Sequence, residues 1–439
     1  MKINYLPSSF EGNGKPVFVD GVRSAFVKSY GVFEDCDALE LYSRVTDGLL
    51  RKIGLNYDIV DEMIAGAVVP QTKNPNIARD TILNLGLPSK INGYTINRTC
   101  ASGLQCIINA SQTIRGGLPS FILAGGVECL SDVPIVYSRE ARKFLVKLSK
   151  AKSATSKLNI IKHFRAKAWF PKQPELTEPL TGLSMGDHAE IMAQTNGLDR
   201  KEQDAYALAS HQKAEDAMKK GRFEEEIIPI WAPPHYEQYI DQDNAVRFGQ
   251  TMEQFSALKP IFDKRYGTVT IGNASSLTDG ASICLIADEK RAFAEGMSPK
   301  LRILDYDVVA VDPNQQLLIG PAITIPRLLV RNSLQLSDID RFEVHEAFSA
   351  QIISCIRSME SREFCERNFG FSKPLGSFPE DKLNVNGGSI AIGHPFGATG
   401  VRLMSTIANE LRRSDLSLGI VSVCAAGGMA ASVLVERIS

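Results

Sequence analysis

The sequence is short of the features that mark several functional classes. Its eight cysteines, at positions 36, 100, 106, 129, 284, 355, 365 and 424, include no CxxC pair, and with the six histidines they form no zinc-site spacing. In a chain of 439 residues that scatter reads as reduced thiols in a cytosol-like compartment, not as a disulfide framework. The opening residues Met1–Tyr5 lack the basic patch and apolar run of a signal peptide. No apolar stretch reaches the ~18 residues of a spanning helix. The expectation is a cytoplasmic protein, peripherally membrane-associated at most. Charge of one sign is also missing: 49 Lys plus Arg against 50 Asp plus Glu leave a formal net charge of −1, which argues against a chain that coats nucleic acid. Gly 34 and Pro 21 are near average, which excludes collagen-like and Pro/Gly-rich disordered classes. The 44% of hydrophobic residues suffices for a large core, and the length suggests about three domains, or two large ones with an insertion.

Short β-branched runs alternate with longer helical stretches. Val17–Val19, Glu62–Val69 and Phe121–Gly126 read as buried strands, and Ala38–Ile53 and Ala101–Arg115 as helices. Near the far end Phe342–Val344 and Ser417–Val423 read as strands and Val401–Arg412 as a helix. This alternation predicts an α/β fold with parallel sheet and βαβ crossovers. A weak internal repeat accompanies it. Ala101-Ser102-Gly103-Leu104-Gln105 resembles Ala398-Thr399-Gly400-Val401-Arg402, and each pentapeptide opens an apolar helix followed by a strand that ends in a Gly pair, Gly125-Gly126 or Gly427-Gly428. Two similar halves related by a pseudo-dyad would explain it, with the site at strand C-terminal ends and helix N-termini. The predicted organisation is a first half in residues 1–129 plus 266–299, an inserted loop domain in 130–265 that covers the crevice, and a second half in 300–439.

Four short stretches carry chemistry. Cys100, in Asn97-Arg98-Thr99-Cys100-Ala101-Ser102-Gly103, is placed at the first turn of a helix, where unpaired N–H groups lower a thiol pKa; the bland reading is a small core thiol. His394 lies in the glycine loop Asn386-Gly387-Gly388-Ser389-Ile390-Ala391-Ile392-Gly393-His394-Pro395. An imidazole fixed by the following proline could deprotonate a cysteine and later donate to an oxyanion. Cys424-Ala425-Ala426-Gly427-Gly428 ends an apolar strand in a turn whose backbone N–H groups suit an oxyanion hole. Val344-His345-Glu346-Ala347-Phe348 follows another strand; the plain readings are a helix N-terminal charge for Glu346 and a capping or core role for His345.

In combination and in this order, these stretches resemble the thiolases, CoA-dependent acyltransferases, over nearly the whole chain. Gly267-Thr268-Val269-Thr270-Ile271-Gly272-Asn273-Ala274-Ser275, with Asp279-Gly280-Ala281 after it, is similar to a further family signature. The resemblance implies two βαβαβαββ halves in a five-layered α/β/α/β/α arrangement and at least a dimer, up to a dimer of dimers. It implies a catalytic set of Cys100 as nucleophile, His394 as its base, Cys424 as the second acid-base and His345 beside the enolate oxygen. The backbone N–H groups of Cys100 and Ala426 would form the oxyanion hole. Ser275, Met185, Phe348 and Arg247 would contact coenzyme A, which acts as substrate, with no permanently bound cofactor and no metal. His345 stands where the commonest pattern has Asn, and the turn reads Ala425-Ala426-Gly427-Gly428 in place of x-Gly-Gly-Gly. Both departures resemble the branch that works with a multifunctional fatty-acid oxidation α subunit, although Ala430 stands where that turn often continues with Gly. The implied reaction is cleavage of 3-oxoacyl-CoA to acetyl-CoA in β-oxidation. The alternatives are a biosynthetic acetyl-CoA acetyltransferase, which would use the same residues, and a catalytically silent CoA-binding scaffold, against which the complete Cys100, His394, Cys424 set speaks. A ketoacyl synthase would be expected to carry His or Asn in place of Cys424.

The near-zero net charge conceals one segment. Residues 139–173 hold eleven Lys or Arg and one acid, Glu140, hence +10, leaving −11 elsewhere. Leu158, Ile161, Phe164 and Ala168, with Trp169 adjacent, recur at helical spacing, so the segment is basic and amphipathic. It suits an anionic membrane surface or a partner subunit, or equally a solvated basic face that attracts CoA phosphates.

Overall fold

The computed structural model describes residues 14–118, 120–163, 169–170 and 177–438. Met1–Tyr5, Pro171–Pro174, and residues 164–168 and 171–173 of the basic segment lie outside these. Numbering only the elements of the two halves, the first runs β1 (Pro16–Arg23), α1 (Ala38–Ile53), β2 (Glu62–Gly66), α2 (Ile77–Asn84), β3 (Asn92–Ile96), α3 (Ser102–Arg115), β4 (Phe121–Glu128) and β5 (Thr278–Asp288). The second runs β6 (Leu301–Ala310), α4 (Pro321–Arg331), β7 (Arg341–Val344), α5 (Ser349–Glu360), α6 (Thr399–Arg413), β8 (Leu418–Ala425) and β9 (Met429–Arg437). Where the first half has β3, the second has only the bridge of Leu383 to Phe342. With that bridge counted as a strand, both halves read βαβαβαββ, and the weak sequence repeat becomes a structural one.

Nine strands form one sheet in the order β7-β8-β9-β6-β1-β5-β4-β2-β3, and the two-residue strand Val27–Lys28 adds to β5. The expected parallel pairing is present in each half and is joined by antiparallel strands. β2 is parallel to β3 and β4, and β7 to β8, but β5 runs antiparallel to β1 and β4, and β9 to β6 and β8. The strand after each helix-linked run is connected as a reversal, which no βαβ crossover requires. Within the sheet the halves are joined by two residue pairs of β1 and β6, Val17–Arg302 and Phe18–Leu301. The anticipated strand Glu62–Val69 stops at Gly66 because the Val68 and Val69 N–H groups turn to the carboxylate of Glu128, at 3.2 and 2.8 Å.

Five layers follow from the packing. α1 packs on β1 and β5 outside the first half, α4 on β6 and β9 outside the second, and α3 and α6 lie against each other between them. α1 illustrates why the sequence chooses these elements. Asp37 accepts the Glu40 N–H at its start, Gly54 ends it with φ 60, and Leu41, Tyr42, Val45 and Leu49 form its buried stripe. The α3–α6 crossing explains the repeated small pentapeptides. A Cβ on Gly103 would lie 2.5 Å from the Gly397 carbonyl oxygen, and one on Gly400 2.2 Å from the Leu104 nitrogen. The repeat is therefore the surface on which one central helix touches the other.

The insertion is more than a cover. The helix Met185–Thr195 buries Ala189, Met192 and Ala193 in the core of the second half, and the helix Arg200–Lys219 packs on α5. Among the described residues no helix is long and apolar enough to cross a membrane. Because the Gly400 contact is with backbone, Gly400→Ala is expected to cost about 1–3 kcal/mol. A lowered denaturant midpoint with an unchanged m-value checks it, and an unchanged midpoint would refute the close-contact account.

Candidate active site

Every chemical residue of the quartet sits in a loop or strand end that faces the α3–α6 crossing. Cys100 lies between β3 and α3, two residues before the helix begins, so it is not in the first helical turn as anticipated. Its loop is held tightly: Thr99 has φ 44, its N–H donates to Asn97 Oδ1 at 2.9 Å and its hydroxyl to the Ala426 carbonyl at 3.1 Å. Ser102 Oγ accepts the Arg98 N–H at 2.8 Å and donates to the Thr99 carbonyl at 2.7 Å. Cys100 is half-buried, the other seven cysteines buried.

His394 follows Gly393, whose φ of 109 is open to glycine and strained for other residues. Its backbone N–H donates to the Ser276 carbonyl at 3.0 Å, and its Nδ1 lies 2.7 Å from Thr399 Oγ1. His345 follows β7. Its N–H donates to the Ser422 carbonyl at 2.8 Å, and its Nδ1 lies 2.8 Å from Ser389 Oγ. The two rings are 4.0 Å apart between centroids. The Nε2 atoms of both are buried and have no hydrogen-bond partner among the described residues. Cys100 Sγ and one ring nitrogen from each histidine lie within 4.8 Å of one another. These three groups are also a donor set that could hold a soft or borderline metal ion; the acyl chemistry below uses them without one.

Cys424 lies at the end of β8, 1% exposed. Burial pushes its thiol well above the ordinary value, and the neighbouring Cys100 raises it further. The expectation of a lowered Cys100 pKa is corrected. Burial pushes this thiol up to about 11, although the N–H groups of Ala426 and of Cys100 itself face the sulfur and pull the other way. Burial also lowers His394 to about 3, with the buried Arg402 guanidinium acting in the same sense, and holds His345 well below its usual value, helped by His394 and Arg402. The resting site is therefore dry and neutral: thiols as S–H, both imidazoles uncharged.

The two N–H groups predicted as an oxyanion hole do converge beside the sulfur. Glu346 is not a helix N-terminal charge. Its buried carboxylate accepts from Tyr206 at 2.9 Å, Ser210 at 2.8 Å, Asn384 at 2.7 Å and the Ile390 N–H at 3.3 Å, so it ties the insertion to the loops of both histidines. Of the expected CoA contacts, Met185 and Phe348 share the margin of the second core with Phe262, whose ring meets Phe348 edge-on at 6.3 Å. The Ser275 N–H donates to the Ala347 carbonyl at 2.9 Å, beside Phe348. Arg247 stands apart from the quartet, with its guanidinium on the Ile271 carbonyl at 2.9 Å and its N–H on His211 Nδ1 at 3.1 Å. The structure adds Ser389, Thr399 and Arg402 to the residues the sequence singles out. Ser389 lies in the glycine loop and Thr399 and Arg402 in the repeated pentapeptide, and an arginine in the apolar run Val401–Met404 is the sequence signal for a buried cation.

A doubled α/β fold that places a cysteine against two neutral imidazoles and a second cysteine at a glycine turn defines a thiol-dependent acyltransferase. The family models for the thiolase N-terminal domain and the thiolase C-terminal domain match residues 16–290 and 297–437, and the chain belongs to the thiolase family. It is 41% identical over 420 residues to a probable 3-ketoacyl-CoA thiolase of Caenorhabditis elegans, covering 96% of this chain and 93% of that one. It is 40% identical over 420 residues to the mitochondrial trifunctional enzyme subunit beta of Bos taurus, covering 96% and 88%. The crystal structure of human mitochondrial 3-ketoacyl-CoA thiolase in complex with CoA superposes with a TM-score of 0.81 at 30% identity, covering 97% of this chain and 98% of that one.

A neutral resting thiol has a direct consequence for reactivity. Alkylation of Cys100 by iodoacetamide in the free enzyme is expected to keep rising through pH 9–10, since thiolate forms only toward about 11. Mass spectrometry of the Cys100 peptide measures it; a rate that levels near pH 7 would mean a standing thiolate–imidazolium pair.

Proposed function

We propose that this protein cleaves 3-oxoacyl-CoA with coenzyme A, giving acetyl-CoA and a shortened acyl-CoA through an acyl-enzyme on Cys100. The observation that carries the reading is the convergence of Cys100 Sγ with the two imidazoles within 4.8 Å, beside the Ala426 N–H. As the thiol attacks the keto carbon, His394 takes its proton. Cys100 itself is never held as a naked thiolate, because its proton leaves as the carbon–sulfur bond forms. The bond between C2 and C3 then breaks, and Cys424 protonates the enolate carbon to release acetyl-CoA. Incoming CoA thiol attacks the Cys100 thioester and gives its proton to the Cys424 thiolate; the departing Cys100 sulfur recovers the proton held by His394. All protons and the acyl group are accounted for by side chains and CoA, so CoA serves as substrate with no permanently bound cofactor. N–H groups fixed in a dry site toward the tetrahedral oxygen contribute roughly 3 kcal/mol each. Met185, Phe348 and Ser275 would line the pantetheine arm, with Arg247 toward the nucleotide. Degradation is favoured over acetyl-CoA condensation by His345, in keeping with the names of the two relatives.

Cleavage rates across 3-oxoacyl-CoAs of four to sixteen carbons test the assignment, and activity confined to the four-carbon substrate would overturn it. Cys100→Ala should lose on the order of 10^4-fold or more in kcat and show no acyl adduct. Cys424→Ala should lose about 10^2–10^4-fold while still forming the adduct from an acyl-CoA donor.

A surface reading is supported separately. On the helices Arg139–Lys150 and Ala154–Lys162 and beside them, Val146, Leu158, Ile161, Trp169 and Phe170 are exposed among lysines and arginines. Apolar side chains among cations on an outer face suit peripheral contact with an anionic bilayer; a multifunctional α subunit is the other partner for this face. Co-sedimentation with anionic but not neutral liposomes is expected, at least tenfold weaker in Leu158→Glu/Ile161→Glu; unchanged sedimentation of that variant would remove this role.

A further inference from the structure

The two catalytic imidazoles have the same formal arrangement, Nδ1 on a hydroxyl and Nε2 free, yet their hydroxyls are not equivalent. Ser389 Oγ receives a hydrogen bond from Arg402 Nη2 at 2.9 Å. Arg402 is fully buried and always a donor. Among the described residues the only acceptor bonded to the Ser389 hydroxyl is His345 Nδ1 at 2.8 Å. One hydroxyl has one proton, and that proton points at His345 Nδ1, which must then present a lone pair; the ring proton stands on Nε2. Thr399 is the reverse case. Among the described residues no side chain other than His394 lies within hydrogen-bond reach of its hydroxyl, and that hydroxyl has a second acceptor, the Pro395 carbonyl one helical turn back at 3.4 Å. Thr399 Oγ1 is thereby free to accept from His394 Nδ1 at 2.7 Å, which leaves the His394 Nε2 lone pair toward Cys100.

We propose that Arg402 and Ser389 are positioning residues that fix His345 as an Nε2–H donor, while Thr399 and the Pro395 carbonyl fix His394 as an Nε2 acceptor. Two histidines 4.0 Å apart are thus assigned opposite tasks by the groups behind them. His394 is the base for the Cys100 proton, and His345 cannot compete for it because its Nε2 already carries one. His345 instead offers that N–H to the enolate oxygen from the start of the reaction. The Glu343 carboxyl group lies 3.6 Å from Arg402 Nη1, too far for a hydrogen bond. This division of labour rests on the thiolase reading of the site, but the tautomers themselves do not depend on turnover.

Nitrogen NMR of the free enzyme labelled with 15N-histidine tests the assignment, with His345→Asn and His394→Asn identifying the two signals. A protonated Nε2 on His345 and a protonated Nδ1 on His394 are expected; a protonated Nδ1 on His345 overturns the proposal whether or not the enzyme turns over. Ser389→Ala removes the donor to Nδ1, so the His345 signals should shift toward a mixture of tautomers. Its kcat should fall about 10-fold to 100-fold with KM within about threefold, and Ser389→Thr, which restores a hydroxyl, should recover most of the loss. A Ser389→Ala enzyme with wild-type kcat and an unshifted His345 spectrum would show that the relay positions nothing. Absence of any 3-oxoacyl-CoA cleavage by the wild type would sink the reaction assigned above and leave the spectral result to stand alone.

Discussion

The contact on which the site depends is the near-touching of α3 and α6. Two helices approach with glycine on each side, Gly103 against the Gly397 carbonyl and Gly400 against the Leu104 backbone. The nucleophile loop immediately precedes one helix and the His394 loop immediately precedes the other. Side chains at these glycines would force the helices apart, and the loops would separate with them. The sheet seam alone cannot hold the halves in register, since β1 and β6 share only two residue pairs. The central helices therefore set the geometry and the strands follow.

Dryness is the second constraint. Burial drives the thiols up and the imidazoles down, which removes all formal charge from the reacting atoms at rest. Charged groups are kept one layer back: Arg402 donates to Ser389 and lies near Glu343, and Glu346 accepts from Tyr206, Ser210 and Asn384. Buried ions with partners cost less than buried ions without them. Their fixed dipoles and hydroxyls convey orientation to the imidazoles without placing a charge where substrate sulfur and oxygen must go.

The fold was legible in the sequence to the extent that its periodicities are local. The strands β1, β4 and β8 and the helices α1, α3 and α6 were found within a few residues. The direction of β5 and β9 was not, because an apolar strand carries no mark of its neighbour's direction. The strand at Glu62 was overextended for a related reason: what ends it is Glu128, sixty-odd residues away, drawing off two backbone N–H groups. The placement of Cys100, His345, His394 and Cys424 near one another was legible because each lies in a loop or at a strand end with little other purpose. The sign of the Cys100 shift was misread, since a helix-end argument counts nearby N–H groups but not the depth of burial that outweighs them. Ser389, Thr399 and Arg402 could not be assigned roles from spacing alone; their partners come from three separate elements.

The residues proposed for the chemistry belong to different halves of the chain. Cys100 comes from the first, while His394, His345, Cys424 and the Ala426 N–H come from the second, well over two hundred residues later. The constellation that pairs this thiol with two imidazoles and the Ala426 N–H therefore exists only once both halves have closed on each other.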